Sequence, residues 1–355
     1  MKVTSSGELG ANKVALGAET AMLDLYSGLK TPFSEDAVLL TDKHRQEVES
    51  FALAAVDAYG DQDGLKEQTL AERTYGVNSL VVRVDCTIVD DRIVPYELED
   101  SPSGIGVTDR FMHAATGSGL KERVLSHYDQ VTGDVPHVII SGARRHGTDD
   151  EIVVGRDRYH YTPGDFRIPD IGESGGVIIK AIPGNQDSHQ PYLTLQKRCL
   201  APLVTEGNKS YLERLGIVSV AEGIDDLLQT DGELESQVVK ARLGSMAMGV
   251  TVYLRPEDVK IFGKHGTVKS GRLIRDLRKY HELGSGALVQ TFEPPIQIDN
   301  VEGRNNAILR IFVLMQASGS TSVRGATAIG GAYVARPELI VHGASNAISG
   351  AVLVK

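Results

Sequence analysis

Arg83, Asp85, Glu97 and Glu99 lie on two apolar segments separated by Asp90-Asp91-Arg92. Val81-Val82-Arg83-Val84-Asp85-Cys86-Thr87-Ile88-Val89, the polar break, and then Ile93-Val94-Pro95-Tyr96-Glu97-Leu98 predict a β-hairpin. A three-residue loop at 90–92 sets Val89 opposite Ile93, and counting back sets Asp85 opposite Glu97 and Arg83 opposite Glu99. Opposed residues share a face, as do residues two apart on one strand. One face then carries all four charged side chains, and the other carries Val84, Cys86, Ile88, Val94, Tyr96 and Leu98. A two-residue loop breaks this segregation, so the pattern favours three.

Carboxylates facing one another across a strand pair destabilise it by ~0.2–1 kcal/mol. A hard divalent cation removes that repulsion, and Mg²⁺ favours a few carboxylates together with phosphate oxygens. Arg83 beside them suits a phosphoryl group on which charge builds. The same four residues also suit a solvated hairpin face, and spacing alone does not separate the two readings.

Lys240 closes the apolar segment Gln237-Val238-Val239-Lys240, ahead of a Gly- and Met-containing link with Gly244 and Ser245 and a second segment, Val250-Thr251-Val252-Tyr253. A lysine at a strand end before such a link reaches phosphate oxygens while backbone N–H groups fold over them, although a solvated strand-end lysine has the same sequence. The link has no Gly-Lys-Ser/Thr ending, so it is not a Walker loop. Further on, Ala287-Leu288-Val289-Gln290-Thr291-Phe292 is stopped by Glu293-Pro294-Pro295. That strand can offer main-chain groups to a purine edge, with Gln290 as an added polar contact, and edge strands also end on prolines for structural reasons alone.

The elements that must hold these residues read as follows. The stretch 18–59 has a helical pattern interrupted at Thr31-Pro32, clearest where Val48, Phe51, Ala52, Ala55 and Val56 recur at three- and four-residue spacing. Further helices are expected at 61–73, 108–128 and 192–215, and strands at 137–141, 175–182, 237–241, 249–254, 287–292, 307–316 and 332–335. The stretch 317–331 is almost all Gly, Ser, Thr and Ala and reads as a flexible loop. Helices mixed with hairpin-linked strands favour an α+β fold over a doubly wound sheet.

The chain has 355 residues, 41% of them apolar and 24% charged, enough for a sizeable core and unlike a disordered chain. Lys plus Arg number 37 against 47 Asp plus Glu, and the net charge of -10 argues against nucleic-acid binding. No apolar run approaches a membrane span, and no basic flank with an apolar stretch opens the chain, so no membrane role and a cytoplasmic location are expected. Cys86 and Cys199 are too few for a disulfide framework or a cysteine zinc site, and the ten histidines show no metal-ligand spacing.

Arg83-Val84-Asp85, followed by Tyr96-Glu97-Leu98-Glu99-Asp100-Ser101-Pro102-Ser103-Gly104, resembles the metal-binding hairpin of the circularly permuted ATP-grasp ligases of the glutathionylspermidine synthase type. In that family an Arg-x-Asp strand pairs with Glu-x-Asn before a turn of small residues and proline. The order also agrees, since the hairpin precedes Lys197, Lys240 and Gln290, whereas ordinary ATP-grasp proteins place it after the lysines. Gly331-Ala332-Tyr333-Val334-Ala335-Arg336-Pro337 and His342-Gly343-Ala344-Ser345-Asn346 are similar to the closing strand and turn of the same group. The likeness runs from about residue 75 to the C-terminus and is strongest at the hairpin and around Lys240. Glu99-Asp100 stands where the family has Asn-Ala, which leaves the number of metal ions open, and the region between hairpin and lysines is short.

The resemblance implies a circularly permuted ATP-grasp fold with mixed and antiparallel sheets and flanking helices. It implies three regions: 1–75 helical, 76–195 with the metal hairpin and substrate site, and 196–355 binding nucleotide. It implies Mg²⁺ on Asp85, Glu97 and Glu99, a phosphoryl contact from Arg83, and ATP contacts from Lys197, Lys240, Gly244, Ser245, Gln290 and Phe292. Ser101 and Ser103 would contact the acid substrate, or simply form the turn before Gly104. The expected reaction joins a small carboxylate to an amine at the expense of ATP. An ATP-dependent phosphotransferase and a non-catalytic scaffold stay open, as do monomer and homodimer.

Overall fold

The computed structural model of the chain describes residues 2–9, 14–15, 20–24, 30–60, 81–99, 102, 104–134, 137–142, 157–163, 176–180, 217–219, 236–241, 250–255, 257–258, 260, 287–300, 303–318, 322–339 and 347–355. The N-terminal part forms β1 (Val3–Ser5), α1 (Ser6–Leu9), β2 (Val14–Ala15), β3 (Thr20–Asp24), β4 (Lys30–Ser34), β5 (Ala37–Leu39) and α2 (Asp42–Gly60). The hairpin β6 (Val81–Val89) and β7 (Arg92–Glu99) is followed by α3 (Ile105–Thr116) and α4 (Lys121–Thr132). Short strands come next: β8 (His137–Gly142), β9 (Tyr159–Pro163), β10 (Gly176–Lys180), β11 (Ile217–Ser219), β12 (Gln237–Ala241), β13 (Val250–Tyr253) and β14 (Ala287–Thr291). The chain ends in β15 (Ile296–Asn300), β16 (Gly303–Ser318), β17 (Ser322–Arg336) and β18 (Ile348–Leu353).

Strand β16 organises the largest sheet, which is mixed and runs β1-β5-β18-β17-β16-β15-β2. One edge of β16 takes β17 along its length. Its other edge is shared, with β15 on 303–307 and β6 on 309–314, and β7 hangs on β6. Leu309, Ile311, Val313 and Met315 alternate onto the face covered by Val48, Phe51 and Ala52 of α2, together with Val82, Val84, Cys86 and Ile88. Phe312 and Leu314 point the other way, against Ile105 and Met112 of α3, Leu120 just before α4, and Val124 and Leu125 of α4. Burying each such aliphatic or aromatic side chain contributes about 1.5–3 kcal/mol, and this is what fixes β16 between two helical layers. Strands β8, β9 and β10 form a parallel three-stranded sheet, and β11-β14-β12-β13 an antiparallel one. Among the described residues no helix is long and apolar enough to cross a membrane.

Three expected elements differ. The helical reading of 18–59 holds only from Asp42 onward. Before it lie β3, β4 and β5, where Thr20, Thr31, Phe33 and Val38 favour extended backbone and Pro32 excludes the helical region for Thr31. The single helix expected at 108–128 is two, because Gly117 takes φ +77 and its N–H closes α3 on the His113 carbonyl. Asp109 Oδ1 then accepts the Lys121 N–H at 2.7 Å as α4 begins. Most of 317–331 is not a loop but strand β17. Its small residues allow a close strand pair: a Cβ on Gly331 would stand 1.9 Å from the Arg310 carbonyl oxygen. The helices expected at 61–73 and 192–215 lie outside the described residues.

Candidate functional site

The β6–β7 hairpin turns on two residues rather than three. Asp90 and Asp91 both adopt positive φ, 48° and 56°, and Val89 pairs with Arg92. Positive φ at both central positions is the type I′ geometry, whose twist matches the flanking strands. A bulge then restores the expected register. The ladder passes from Cys86 opposite Pro95 to Asp85 opposite Glu97, which leaves Tyr96 as the extra residue. Pro95 has no N–H for the ladder, and edge bulges are where proline is tolerated. One residue fewer in the turn and one more in β7 cancel, so Asp85 meets Glu97 and Arg83 meets Glu99 as the sequence spacing requires. The near part of the hairpin does shift. Ile93, not Val94, joins Cys86, Ile88 and Leu98 in the core beneath α2.

The tip of the hairpin is fastened to α2. Lys43 Nζ lies 2.6 Å from Asp91 Oδ2 and also donates to the Asp91 carbonyl. His44, fully buried, holds Asp91 Oδ1 at 3.2 Å from Nε2 and Ser6 Oγ at 2.6 Å from Nδ1. Lys43 first, then His44, hold the Asp91 carboxyl below the usual carboxylate range. Glu47 accepts the Ile93 N–H at 2.7 Å on the same side.

Across the sheet, four strands line up a row of positions: Glu97 on β7, Asp85 on β6, Arg310 on β16 and Ala332 on β17. Arg83 and Asp85 are both buried, at 6% and 5% exposure. Arg83 forks onto Asp85, with Nε 2.6 Å from Oδ1 and a terminal nitrogen 3.0 Å from Oδ2. Arg310 Nε approaches Oδ2 at 3.5 Å, an ionic contact longer than a well-formed hydrogen bond. Glu97 is half-buried. Two guanidiniums therefore bracket the Asp85 carboxylate, with Glu97 at the next position of the row.

The same face is tied to the end of β14. Thr87 Oγ donates to the Pro294 carbonyl at 3.0 Å and Tyr96 Oη to the Glu293 carbonyl at 2.9 Å. Burial pushes the Tyr96 hydroxyl well above its ordinary pKa, with Thr87 acting in the opposite direction. Burial, with the Asp85 charge, does the same to the Cys86 thiol, which makes it an inert core residue rather than a nucleophile.

In the ladder of the four-stranded sheet, Lys240 pairs with Leu288 and Val238 with Gln290. Positions 240 and 290 therefore fall on one face. Lys240, Gln290 and Glu99 are described by their backbone alone. Phe292 packs against Val238, Val252, Leu254 and Leu339, and its N–H donates to the Ser236 carbonyl at 2.8 Å. Lys197, Gly244, Ser245, Ser101 and Ser103 lie outside the described residues. Arg310 is the residue that sequence reasoning missed. Its signal was present as the single charge inside the apolar run 308–315, since a charge in a buried strand is rare unless it is paired.

Asp85 and Glu97 are donors of the type a hard divalent cation takes, on directly opposed positions. As placed, both Asp85 oxygens are engaged by Arg83. So placed, the pair does not form a ready cation site. Among the described residues no group of three or more His, Cys, Asp or Glu comes together as a ligand set.

No protein-family model matches the sequence, and no curated protein matches it. Among solved structures, the chain is similar to a provisionally assigned gamma-glutamylcysteine synthetase from Methylobacillus flagellatus KT, at 11% identity and a TM-score of 0.36 over 84% of each chain. The functional reading therefore rests on the chain's own residues.

Proposed function

We propose that the chain is an ATP-dependent ligase that joins a small carboxylate to an amine, with the circularly permuted ATP-grasp arrangement and its nucleotide side in 196–355. The observation that carries this reading is the row Glu97–Asp85–Arg310 with Arg83 beside it: opposed carboxylates and two guanidiniums on one largely buried sheet face. Its tie through Thr87 and Tyr96 to the end of β14 supports a shared site with Gln290 and Phe292.

On this reading a carboxylate substrate attacks the γ-phosphate in line, giving an acyl phosphate and ADP, and an amine then displaces phosphate to form the amide. Bound Mg²⁺ supplies charge neutralisation at the phosphate oxygens. Asp85, Glu97 and Glu99 would hold it. Arg83 stabilises charge on the transferring phosphoryl, a type of contact whose removal costs ~2.7–4 kcal/mol. Arg310 holds Asp85 from the neighbouring strand. Lys197 and Lys240 grip phosphates, Gly244 and Ser245 belong to a link that closes over them, and Gln290 and Phe292 meet the base. Ser101 and Ser103 contact the acid. Excluding water preserves the acyl phosphate for the amine.

The test is ADP release from the full chain with pooled small acids, with and without pooled amines and polyamines. Amine-dependent release supports the ligase. Amine-independent release with a stable phosphorylated product replaces it with a phosphotransferase, and no nucleotide binding leaves a scaffold.

A further inference from the structure

The four-stranded sheet passes into the largest sheet through the short connection between β14 and β15. At its start the Phe292 N–H donates to the Ser236 carbonyl at 2.8 Å. At its end Ile296 opens β15 opposite Ala307 of β16. Between them Glu293 and Pro294 each precede a proline, which restricts both to extended backbone. Pro294 and Pro295 bring no N–H, so that stretch is held through its carbonyl groups. Two hydroxyls of the hairpin take them: Tyr96 of β7 donates to the Glu293 carbonyl at 2.9 Å and Thr87 of β6 to the Pro294 carbonyl at 3.0 Å. Thr87 is fully buried, in a strand whose other apolar-face positions are Val82, Val84, Cys86 and Ile88. A buried strand position is served as well by valine, which has the shape of threonine, so what the hydroxyl adds at 87 is the bond to Pro294. Two residues from Asp85 along β6, Thr87 also falls on the face of Arg83 and Asp85.

We infer that Thr87 is a positioning residue: with Tyr96 it locks the connection 293–295, and so sets the separation between the Arg83–Asp85 row and the strand of Gln290 and Phe292 before any ligand arrives. The inference rests on the ligase reading for its ligand and adds a preset frame to it. One bond to the connection would leave a pivot. Two bonds on successive carbonyls, from two different strands, oppose rotation as well as displacement. A nucleotide that meets the hairpin at its phosphates and β14 at its base then binds without the cost of ordering one sheet against the other.

The test is ATP binding to the full chain by calorimetry, beside urea unfolding of the same proteins. Thr87→Val keeps the shape and removes the bond, and the Kd for ATP should rise about five- to tenfold. Thr87→Ser keeps the hydroxyl and should restore wild-type affinity. Thr87→Val combined with Tyr96→Phe should weaken binding by more than the product of the two single effects, because either bond alone still restrains the connection. In the wild type, exchange at the Phe292 and Ile296 N–H groups should be slow before ATP is added and unchanged by it, which decides the matter if Thr87→Val does not fold. A lowered urea midpoint with unchanged ATP affinity in Thr87→Val, or wild-type protection that arises only with ATP, overturns the preset frame and leaves the ligase reading standing. A wild-type chain that binds no ATP overturns both.

Discussion

Arg310 stands directly across the β6–β16 pair from Asp85, with its Nε 3.5 Å from Oδ2. Asp85 is thus held by Arg83 along its own strand and by Arg310 from the next. A carboxylate so enclosed serves structure as well as chemistry, and the two roles separate by mutation. Asp85→Asn neutralises the carboxylate onto which the buried Arg83 forks and is expected to cost about 3–5 kcal/mol, read from urea unfolding. The double change Arg83→Met with Asp85→Leu is expected to recover most of that loss, since replacing a buried pair by apolar groups of similar volume is often neutral. Activity should be absent in both. A stable Asp85→Asn protein would count against a buried ion pair at this position.

Glu97 faces Asp85 across the ladder and is half-buried. Glu97→Gln keeps its shape and removes one negative donor. Stability should change by less than about 1 kcal/mol, as for most substitutions away from the core. On the proposed ligase reading, in which Glu97 is a direct ligand, ATP turnover should fall at least about a hundredfold, because such a ligand matters no less than the outer-shell groups whose loss costs up to that factor. Unaltered turnover removes the hairpin from the mechanism.

The alternation of charge and apolar residues in 81–99 made the opposition of Asp85 to Glu97 legible, because a period of two is imposed by the strand itself. The route to that register was not legible. A type I′ turn on two aspartates lacks the usual Asn-Gly signature, and a bulge beside Pro95 leaves no periodic trace of its own. Strand β17 was hidden for a different reason. Its glycines and alanines have poor strand propensity and are selected by what lies opposite, here the Arg310 carbonyl against Gly331. Arg310 was visible as a charge in an apolar run, but its partner was set by strand order, which no local pattern carries.

The Lys43–Asp91 contact gives the hairpin tip an acid-sensitive fastening. Asp91 has a lowered pKa in the folded chain, chiefly through its hydrogen bond from Lys43. A depressed carboxylate contributes stability above its unfolded pKa of ~3.9 and loses it as pH falls through the folded value. The urea midpoint of Asp91→Asn should therefore lie below wild type at neutral pH, and the two should converge in acid. A gap that persists unchanged into strong acid would contradict the ionic origin of the contact.

Gly331 permits the close approach of β17 to β16 beside Arg310, where a Cβ would meet the carbonyl oxygen at 1.9 Å. Backbone cannot rotate away as a side chain can, so Gly331→Ala should cost about 3 kcal/mol or more. Gly117, with φ +77 and nothing near its Cβ position, gives the contrast. Gly117→Ala should cost only ~1 kcal/mol, the strain of a left-handed alanine. Equal losses in thermal unfolding would mean that conformation, not contact, governs both sites.

Tyr96 turns the bulge of β7 into a brace, since the extra residue sends its hydroxyl to the Glu293 carbonyl at 2.9 Å, just past the end of β14. Tyr96→Phe removes that bond and keeps the ring against Ile308, Val334 and Ala347. The loss of one neutral hydrogen bond should lower stability by about 1 kcal/mol. If the brace also sets the spacing between the hairpin and the strand of Gln290 and Phe292, KM for ATP should rise about fivefold, the equivalent of ~1 kcal/mol. With kcat nearly unchanged, that split would place the effect in nucleotide binding rather than in phosphoryl transfer. Lowered stability with an unchanged KM would confine Tyr96 to holding the fold and would remove β14 from the proposed site.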